Sequence, residues 1–240
     1  MSKLDPQSLF ARLSTDIPRE LHEHLFVIGS LAAAYHFSDQ LQDQTLNTKD
    51  ADLVVHPAGG VNSCRQMAER LLSLGWTIKE DRRFRPQPTA ELLSLLPFIR
   101  LSPPESRDYF VEFLTLPEIG QREHYKIVPV ELSDGWFAAP SFKFFVLLAL
   151  HRQRSKEGLE YAAPSMMALA NLLAHPQLGK QTIEGDGRLR SAKDLGRVIA
   201  LARLAGMEEV ENGKTSGLQA YKNVSRVIGM FWEQDWLQAF

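Results

Sequence analysis

Residues 26–55, from which the fold is predicted most directly, have the sequence FVIGSLAAAYHFSDQLQDQTLNTKDADLVV. Residues 26–28 are a compact apolar run that stops at Gly29 and Ser30. The following residues, 31–37, are rich in alanine and contain no helix breaker. This order of apolar run, glycine and alanine-rich stretch predicts a strand, a tight turn and a helix.

Two aspartates, Asp50 and Asp52, open the next apolar run. Residues 38–49 are polar and predict a loop, whereas residues 51–55 are apolar, end in valines and predict a second strand. Alternate side chains on a strand point to the same face, so the two carboxylates can converge on one cation. Mg²⁺ prefers oxygen ligands and takes one or two carboxylates from a protein, which makes it the expected ion. The alternative is two solvated aspartates at the start of a strand.

Two further features extend this candidate site. Gly29 and Ser30 precede a predicted helix, whose free backbone N–H groups can cradle a phosphate, although Gly-Ser is also an ordinary helix cap. Glu112 lies inside the apolar run 110–114, where a buried carboxylate needs a partner such as a metal. An edge strand with Glu112 facing water is the alternative, and Asp108 is the competing third carboxylate.

The rest of the chain divides into a mixed part and a helical part. A helix is predicted over residues 1–24, interrupted at Pro18, and an amphipathic helix over 61–74, ended by Gly75. After Pro140 the pattern becomes helical, which predicts an α/β domain at 1–139 and a helical domain at 140–240. The remaining predicted strands cover 76–79, 98–101, 109–114 and 127–130, and the later helices cover 141–154, 164–175, 190–205 and 216–230, with a flexible crossing at 177–187.

Composition excludes several classes of protein. The chain has 240 residues, a net charge of -2 and one cysteine, Cys64, so it can form no internal disulfide. Near-neutral charge argues against coating of nucleic acid by the whole surface. The N-terminus lacks the pattern of a signal peptide, and the longest apolar stretch, 144–150, is too short to span a bilayer. A cytoplasmic protein without a membrane partner is therefore expected.

The string VIGSLAAAYHF, followed by NTKDADLVV, resembles the nucleotidyltransferase superfamily that includes polymerase β and the minimal nucleotidyltransferases. The signature of that superfamily is Gly-Gly or Gly-Ser, a helix and then a strand with two alternate aspartates. The branch of AbiEii toxin-type proteins is the most similar, because residues 48–53 match its Thr-x-Asp-h-Asp-Leu string. The resemblance implies an α+β fold, with a nucleotidyltransferase-like mixed β-sheet flanked by helices and a mainly helical C-terminal region.

The resemblance also implies an activity and a set of site residues. The implied reaction moves a nucleoside monophosphate from a nucleoside triphosphate to a hydroxyl or an RNA 3′ end, with Mg²⁺ or Mn²⁺ as cofactor. The acceptor could be a tRNA, a protein or a small molecule, and an antitoxin or a second copy of the chain are possible partners. Residues 140–152 and 190–195 resemble two further strings of the AbiEii branch. The implied catalytic and metal-binding residues are Asp50, Asp52 and Glu112, and the implied nucleotide-binding residues are Gly29, Ser30, Thr48, Lys49, Lys143 and Lys193.

Two other functions stay open. The first is a catalytically inactive nucleotide-binding or regulatory module on the same fold. The second is a helical interaction protein that works through the aromatic-rich segment 230–240. The arginines Arg82, Arg83 and Arg85 suit a phosphate backbone or a triphosphate, but a charged loop is commonly just solvated.

Overall fold

The computed structural model describes residues 5–41, 50–56, 60–79, 84–106, 108–118, 121–179, 182, 187 and 189–211. The chain divides into two compact units, Met1–Ala163 and Pro164–Phe240. The helices of the first unit are α1 (Pro6–Asp16), α2 (Gly29–His36), α3 (Gly60–Ser73) and α4 (Phe145–Leu150). Its strands are β1 (Leu25–Ile28), β2 (Asp50–Val55), β3 (Thr77–Ile78), β4 (Arg100–Ser102), β5 (Phe110–Thr115), β6 (Tyr125–Leu132), β7 (Gly135–Phe142), β8 (Arg152–Arg154) and β9 (Glu160–Ala162).

Within the described residues, nine strands form one mixed, open sheet. Seven of them follow the order β3-β4-β5-β2-β1-β9-β8, and the β6–β7 hairpin joins through β7, which pairs with β5. Strand β2 is antiparallel to β1 and parallel to β5. Strand β4 is antiparallel to β5, and β1 is parallel to β9. The prediction of an α+β fold with a mixed sheet flanked by helices is confirmed.

The two faces of the central strands differ in polarity. Ala51 and Leu53 of β2 are fully buried, whereas Asp50 and Asp52, which alternate with them, are half-buried. Strand β5 repeats the pattern, because Val111 is fully buried and its neighbour Glu112 is not. At this part of β2 and β5, one face is therefore core and the other carries the polar side chains, whereas β1 is buried on both faces.

Helix α3 shows how the sequence pattern produces this core. Its buried residues recur at spacings of three and four and include Cys64, Met67 and Leu71, so one face of the helix is apolar. The helix is followed by Gly75 with φ +86°, a left-handed conformation that favours glycine, as predicted.

A buried hydrogen bond holds the end of helix α1 against the segment that follows α3. The Nε1–H of Trp76, just before β3, donates a hydrogen bond of 2.8 Å to Oδ2 of Asp16 at the end of α1. Arg12 also binds this carboxylate, one turn earlier in the same helix. Trp76 and Asp16 are both buried, and the contact joins α1 to the segment that follows α3 and gives the indole N–H a hydrogen-bond acceptor.

The prediction of a helical chain after Pro140 is wrong for residues 141–163. Strand β7 runs on to Phe142, α4 has only six residues, and β8 and β9 form a hairpin whose strand β9 pairs with β1. Strands of three residues are too short to show an alternating pattern, and the polar sequence of β8, RQR, gives no strand signal. The predicted domain boundary lay between residues 139 and 140, whereas the compact units divide between Ala163 and Pro164.

The second unit contains α5 (Pro164–Ala174) and α6 (Arg190–Glu211), which pack against each other. A short 3₁₀ helix, His175–Gln177, follows α5. These helices agree with the predictions over 164–175 and 190–205. The predicted helix 216–230 and the segment 230–240 lie outside the described residues, as does most of the predicted crossing. No helix in the described part of the chain is long and apolar enough to cross a bilayer.

Candidate functional site

Asp50, Asp52 and Glu112 lie on one face of the sheet. Strands β2 and β5 are parallel neighbours, with Asp52 paired to Glu112 and Asp50 paired to Phe110. Paired residues on adjacent strands project to the same side, and residues two apart on one strand do as well. The register therefore places three carboxylates that are distant in sequence on two adjacent strands.

The start of α2 lies against Asp52. Ile28, the last residue of β1, pairs with Asp52, and Gly29 follows with φ +73°. A Cβ atom built on Gly29 would lie only 2.5 Å from Oδ2 of Asp52. Both the backbone conformation and the space therefore require glycine at this position. Helix α2 begins at Gly29, and Ile28 before it gives the first turn no side-chain hydrogen bond.

Glu112 is held by an arginine on the neighbouring strand. Arg100 of β4 pairs with Glu112 in the antiparallel register, and its Nε lies 2.7 Å from Oε2 of Glu112. The side chain of Glu112 is 12% exposed and that of Arg100 is 29% exposed. Burial raises the pKa of Glu112 and the charge of Asp50 raises it further, while Arg100 and Lys79 lower it, with a net rise. The carboxylate is therefore neither open to water nor without a counter-ion.

Basic and aromatic side chains flank the carboxylates on the β4 side. The Nζ of Lys79, next to β3, lies 3.5 Å from the ring centroid of Phe110. The guanidinium carbon of Arg100 lies 5.2 Å from the ring of Phe98 and 5.6 Å from that of Phe110. Burial raises the pKa of Tyr125, and the charge of Glu112 adds to this rise. Sequence reasoning missed Lys79 and Arg100, because only the pairing of β3, β4 and β5 brings them to Glu112.

The donor atoms at this face fit a hard divalent cation held by two carboxylates. Asp50 and Asp52 are half-buried, share a face and offer the oxygen ligands that Mg²⁺ prefers. Glu112 already has Arg100 as its counter-ion. Among the described residues, no three His, Cys, Asp or Glu side chains are grouped so that they could hold a metal ion.

The competing carboxylate, Asp108, lies outside the strand. It is exposed, precedes the start of β5 by two residues, and its backbone N–H donates a hydrogen bond of 3.1 Å to Oγ of Ser106. Glu112 is thus the carboxylate whose register matches Asp52, and Asp108 is not part of the paired row.

The described residues among those predicted to bind the nucleotide belong to different elements. Lys143 follows β7 and is half-buried, with its Nζ 5.6 Å from the ring centroid of Phe144. Its backbone N–H donates a hydrogen bond of 3.0 Å to the carbonyl oxygen of His124. Lys193 is exposed on α6, in the second unit, and Ser30 is half-buried in the first turn of α2. Thr48, Lys49, Arg82 and Arg83 lie outside the described residues, and Arg85 is exposed.

Comparison of the chain with models of known protein families, with curated proteins and with solved structures finds no match.

Proposed function

We propose that this chain is a Mg²⁺-dependent nucleotidyltransferase with a polymerase β-like fold, nearest to the AbiEii toxin-type proteins. The observation that carries the proposal is the close approach of Gly29 to the carboxylate of Asp52. In this contact, the two parts of the sequence signature, the Gly-Ser turn and the strand with alternate aspartates, lie next to each other.

Each residue has a proposed role. Asp50 and Asp52 hold the cation, and the backbone N–H groups of the first turn of α2, from Gly29 and Ser30, bind phosphate oxygens of the nucleoside triphosphate. Glu112 binds or activates the acceptor hydroxyl, and Lys143 is the candidate for a further phosphate contact. The bound cation supplies Lewis-acid stabilisation of the charge that develops on the attacking and leaving oxygens. The acceptor is a tRNA end, a protein hydroxyl or a small molecule, and an antitoxin or a second copy of the chain is the proposed macromolecular partner.

One observation favours a second candidate function, a catalytically inactive nucleotide-binding or regulatory module. The carboxylate of Glu112 is occupied by Arg100 at 2.7 Å, as in a structural ion pair. A module of this kind would retain a nucleoside triphosphate without transferring any part of it.

Release of pyrophosphate separates the two functions. The wild-type chain is incubated with each nucleoside triphosphate, with total cellular RNA and protein as acceptors, in the presence and absence of Mg²⁺ or Mn²⁺. A transferase releases pyrophosphate only with the cation, and Asp52→Asn abolishes the release. Asp134→Asn is the matched control, because Asp134 is exposed in the turn between β6 and β7. Binding of nucleotide without pyrophosphate release would establish the inactive module instead.

A further inference from the structure

Arg100 is one of the basic residues on the β4 side of the site, and it contacts the carboxylate of Glu112. The register aligns Arg100 with Glu112, and Glu112 with Asp52, across the adjacent strands β4, β5 and β2. All three side chains therefore project from the same face of the sheet. Arg100 is the counter-ion of Glu112, and Glu112 lies between it and Asp52 in this row.

Opposing electrostatic forces act on Glu112. The guanidinium of Arg100 attracts its carboxylate through the 2.7 Å contact between Nε and Oε2, whereas the negative charges of Asp50 and Asp52 repel it. The rings of Phe98 and Phe110, within 6 Å of the guanidinium carbon of Arg100, restrict where the arginine can move. The carboxylate is thereby drawn toward β4 by a partner that is itself held in place.

We propose that Arg100 is a positioning residue that competes with the divalent cation for Glu112 and so sets the cation affinity of the Asp50–Asp52 pair. This inference rests on the proposed function, because it takes Asp50 and Asp52 as the cation ligands. While Arg100 holds Glu112, the proposed protein ligands of the cation are Asp50 and Asp52. Removal of the arginine frees Glu112 to act as a third oxygen ligand on the same face.

Binding of Mn²⁺, followed by the electron paramagnetic resonance signal of the free ion, tests this without any measurement of turnover. Arg100→Gln is expected to tighten Mn²⁺ binding by on the order of tenfold, comparable to the effect of other residues that act through a metal ligand. Because removal of any positive charge favours a cation, the same substitution is also made in the Glu112→Gln background. The gain is expected to be much smaller in that background, where no third carboxylate can be released.

Arg152→Gln is the matched control. Arg152 forms an ion pair of 2.9 Å with Glu160 between strands β8 and β9 of the same sheet, and its guanidinium carbon lies 5.6 Å from the ring of Phe26. Its removal is expected to leave Mn²⁺ affinity unchanged. Arg100→Lys keeps the charge but loses the planar guanidinium, and a smaller gain from this variant supports the proposal if Arg100→Gln does not fold.

The outcomes separate this inference from the proposed function. Wild-type binding of Mn²⁺ that is no tighter than that of Asp52→Asn overturns both. Wild-type binding that depends on Asp52, with no gain on substitution of Arg100, overturns only the role of Arg100. If Arg100→Gln raises Mn²⁺ affinity equally with Glu112 and with Gln at position 112, the role of Arg100 is also overturned, because the effect would then come from charge alone.

Discussion

The Oδ2 atom of Asp52 lies 2.5 Å from the position that a Cβ atom would take on Gly29. The two residues are 23 positions apart in sequence, and the antiparallel pairing of Ile28 with Asp52 brings them together. A carboxylate at the first turn of a helix is favoured by the helix dipole, and the same N–H groups are suited to phosphate. The absence of a side chain at position 29 therefore allows the carboxylate of Asp52 to lie beside the first turn of α2.

Gly29→Ala is expected to destabilise the fold more than Gly60→Ala does. Both glycines begin a helix with positive φ, +73° and +53°, so alanine costs each about 1–2 kcal/mol of backbone strain. Of the two, only Gly29 brings the new methyl group against another described side chain, since nothing in the described part of the chain lies within 4 Å of a Cβ on Gly60. Overpacking adds roughly 1–3 kcal/mol at Gly29. Urea unfolding of both variants measures the difference, and equal losses would show that Asp52 does not fill this space in solution.

Arg100→Gln is expected to lower the free energy of unfolding by about 1.5–3 kcal/mol near pH 7, the usual range for a hydrogen bond to a charged group. The loss should shrink as the pH falls through the raised pKa of Glu112, because a protonated Glu112 needs no counter-ion. Urea unfolding at several pH values measures this trend. A loss that is the same at every pH would mean that Arg100 stabilises the fold through packing against Phe98 and Phe110 and not through Glu112.

Glu112→Gln is expected to remove part of the pH dependence of stability. The pKa of Glu112 is raised in the folded chain, mainly by burial, so the folded state binds this proton more tightly than the unfolded state does. The free energy of unfolding of the wild type therefore falls as the pH rises from the ordinary pKa of a glutamate through the folded value. The glutamine variant lacks this fall. A variant whose stability falls as steeply as the wild type over that range would place the titration elsewhere.

The single cysteine is expected to report on global unfolding. Cys64 is fully buried on the apolar face of α3, and burial raises the pKa of its thiol to about 12. The thiolate is the reactive form, so labelling by iodoacetamide near pH 8 should be negligible until the chain opens. Mass spectrometry after timed labelling, with and without urea, gives the result. Rapid labelling of the native protein would contradict the packing of α3 against the sheet.

The sequence predicted the secondary structure best in segments whose conformation depends on residues that are adjacent in the chain. Strands β1 and β2 and helix α2 follow from short apolar runs, a glycine and an alanine-rich stretch, so the Gly29 turn and the pair Asp50–Asp52 could be predicted from the local pattern. The amphipathic spacing of α3 was equally clear. In these segments the local preferences of the residues agree with the final fold.

The pairing of strands that are distant in sequence could not be predicted from local patterns. The contact of Arg100 with Glu112 depends on the register of β4 on β5, and nothing in the sequence around Arg100 specifies that partner. Strands β8 and β9 were missed because three residues are too few for a periodic signal and because the sheet itself stabilises them. Lys143 was predicted to bind the nucleotide, but the contact that the structure gives its side chain is with the ring of Phe144.

The most direct test of the nucleotidyltransferase proposal is the transfer of label from α-labelled nucleoside triphosphates to cellular RNA or protein in the presence of Mg²⁺. The wild-type chain should transfer label. Asp50→Asn and Asp52→Asn should remain folded but transfer label more than about a hundredfold more slowly. Asp134→Asn should transfer label at the wild-type rate. Transfer that persists unchanged in a folded Asp52→Asn variant would contradict the proposal.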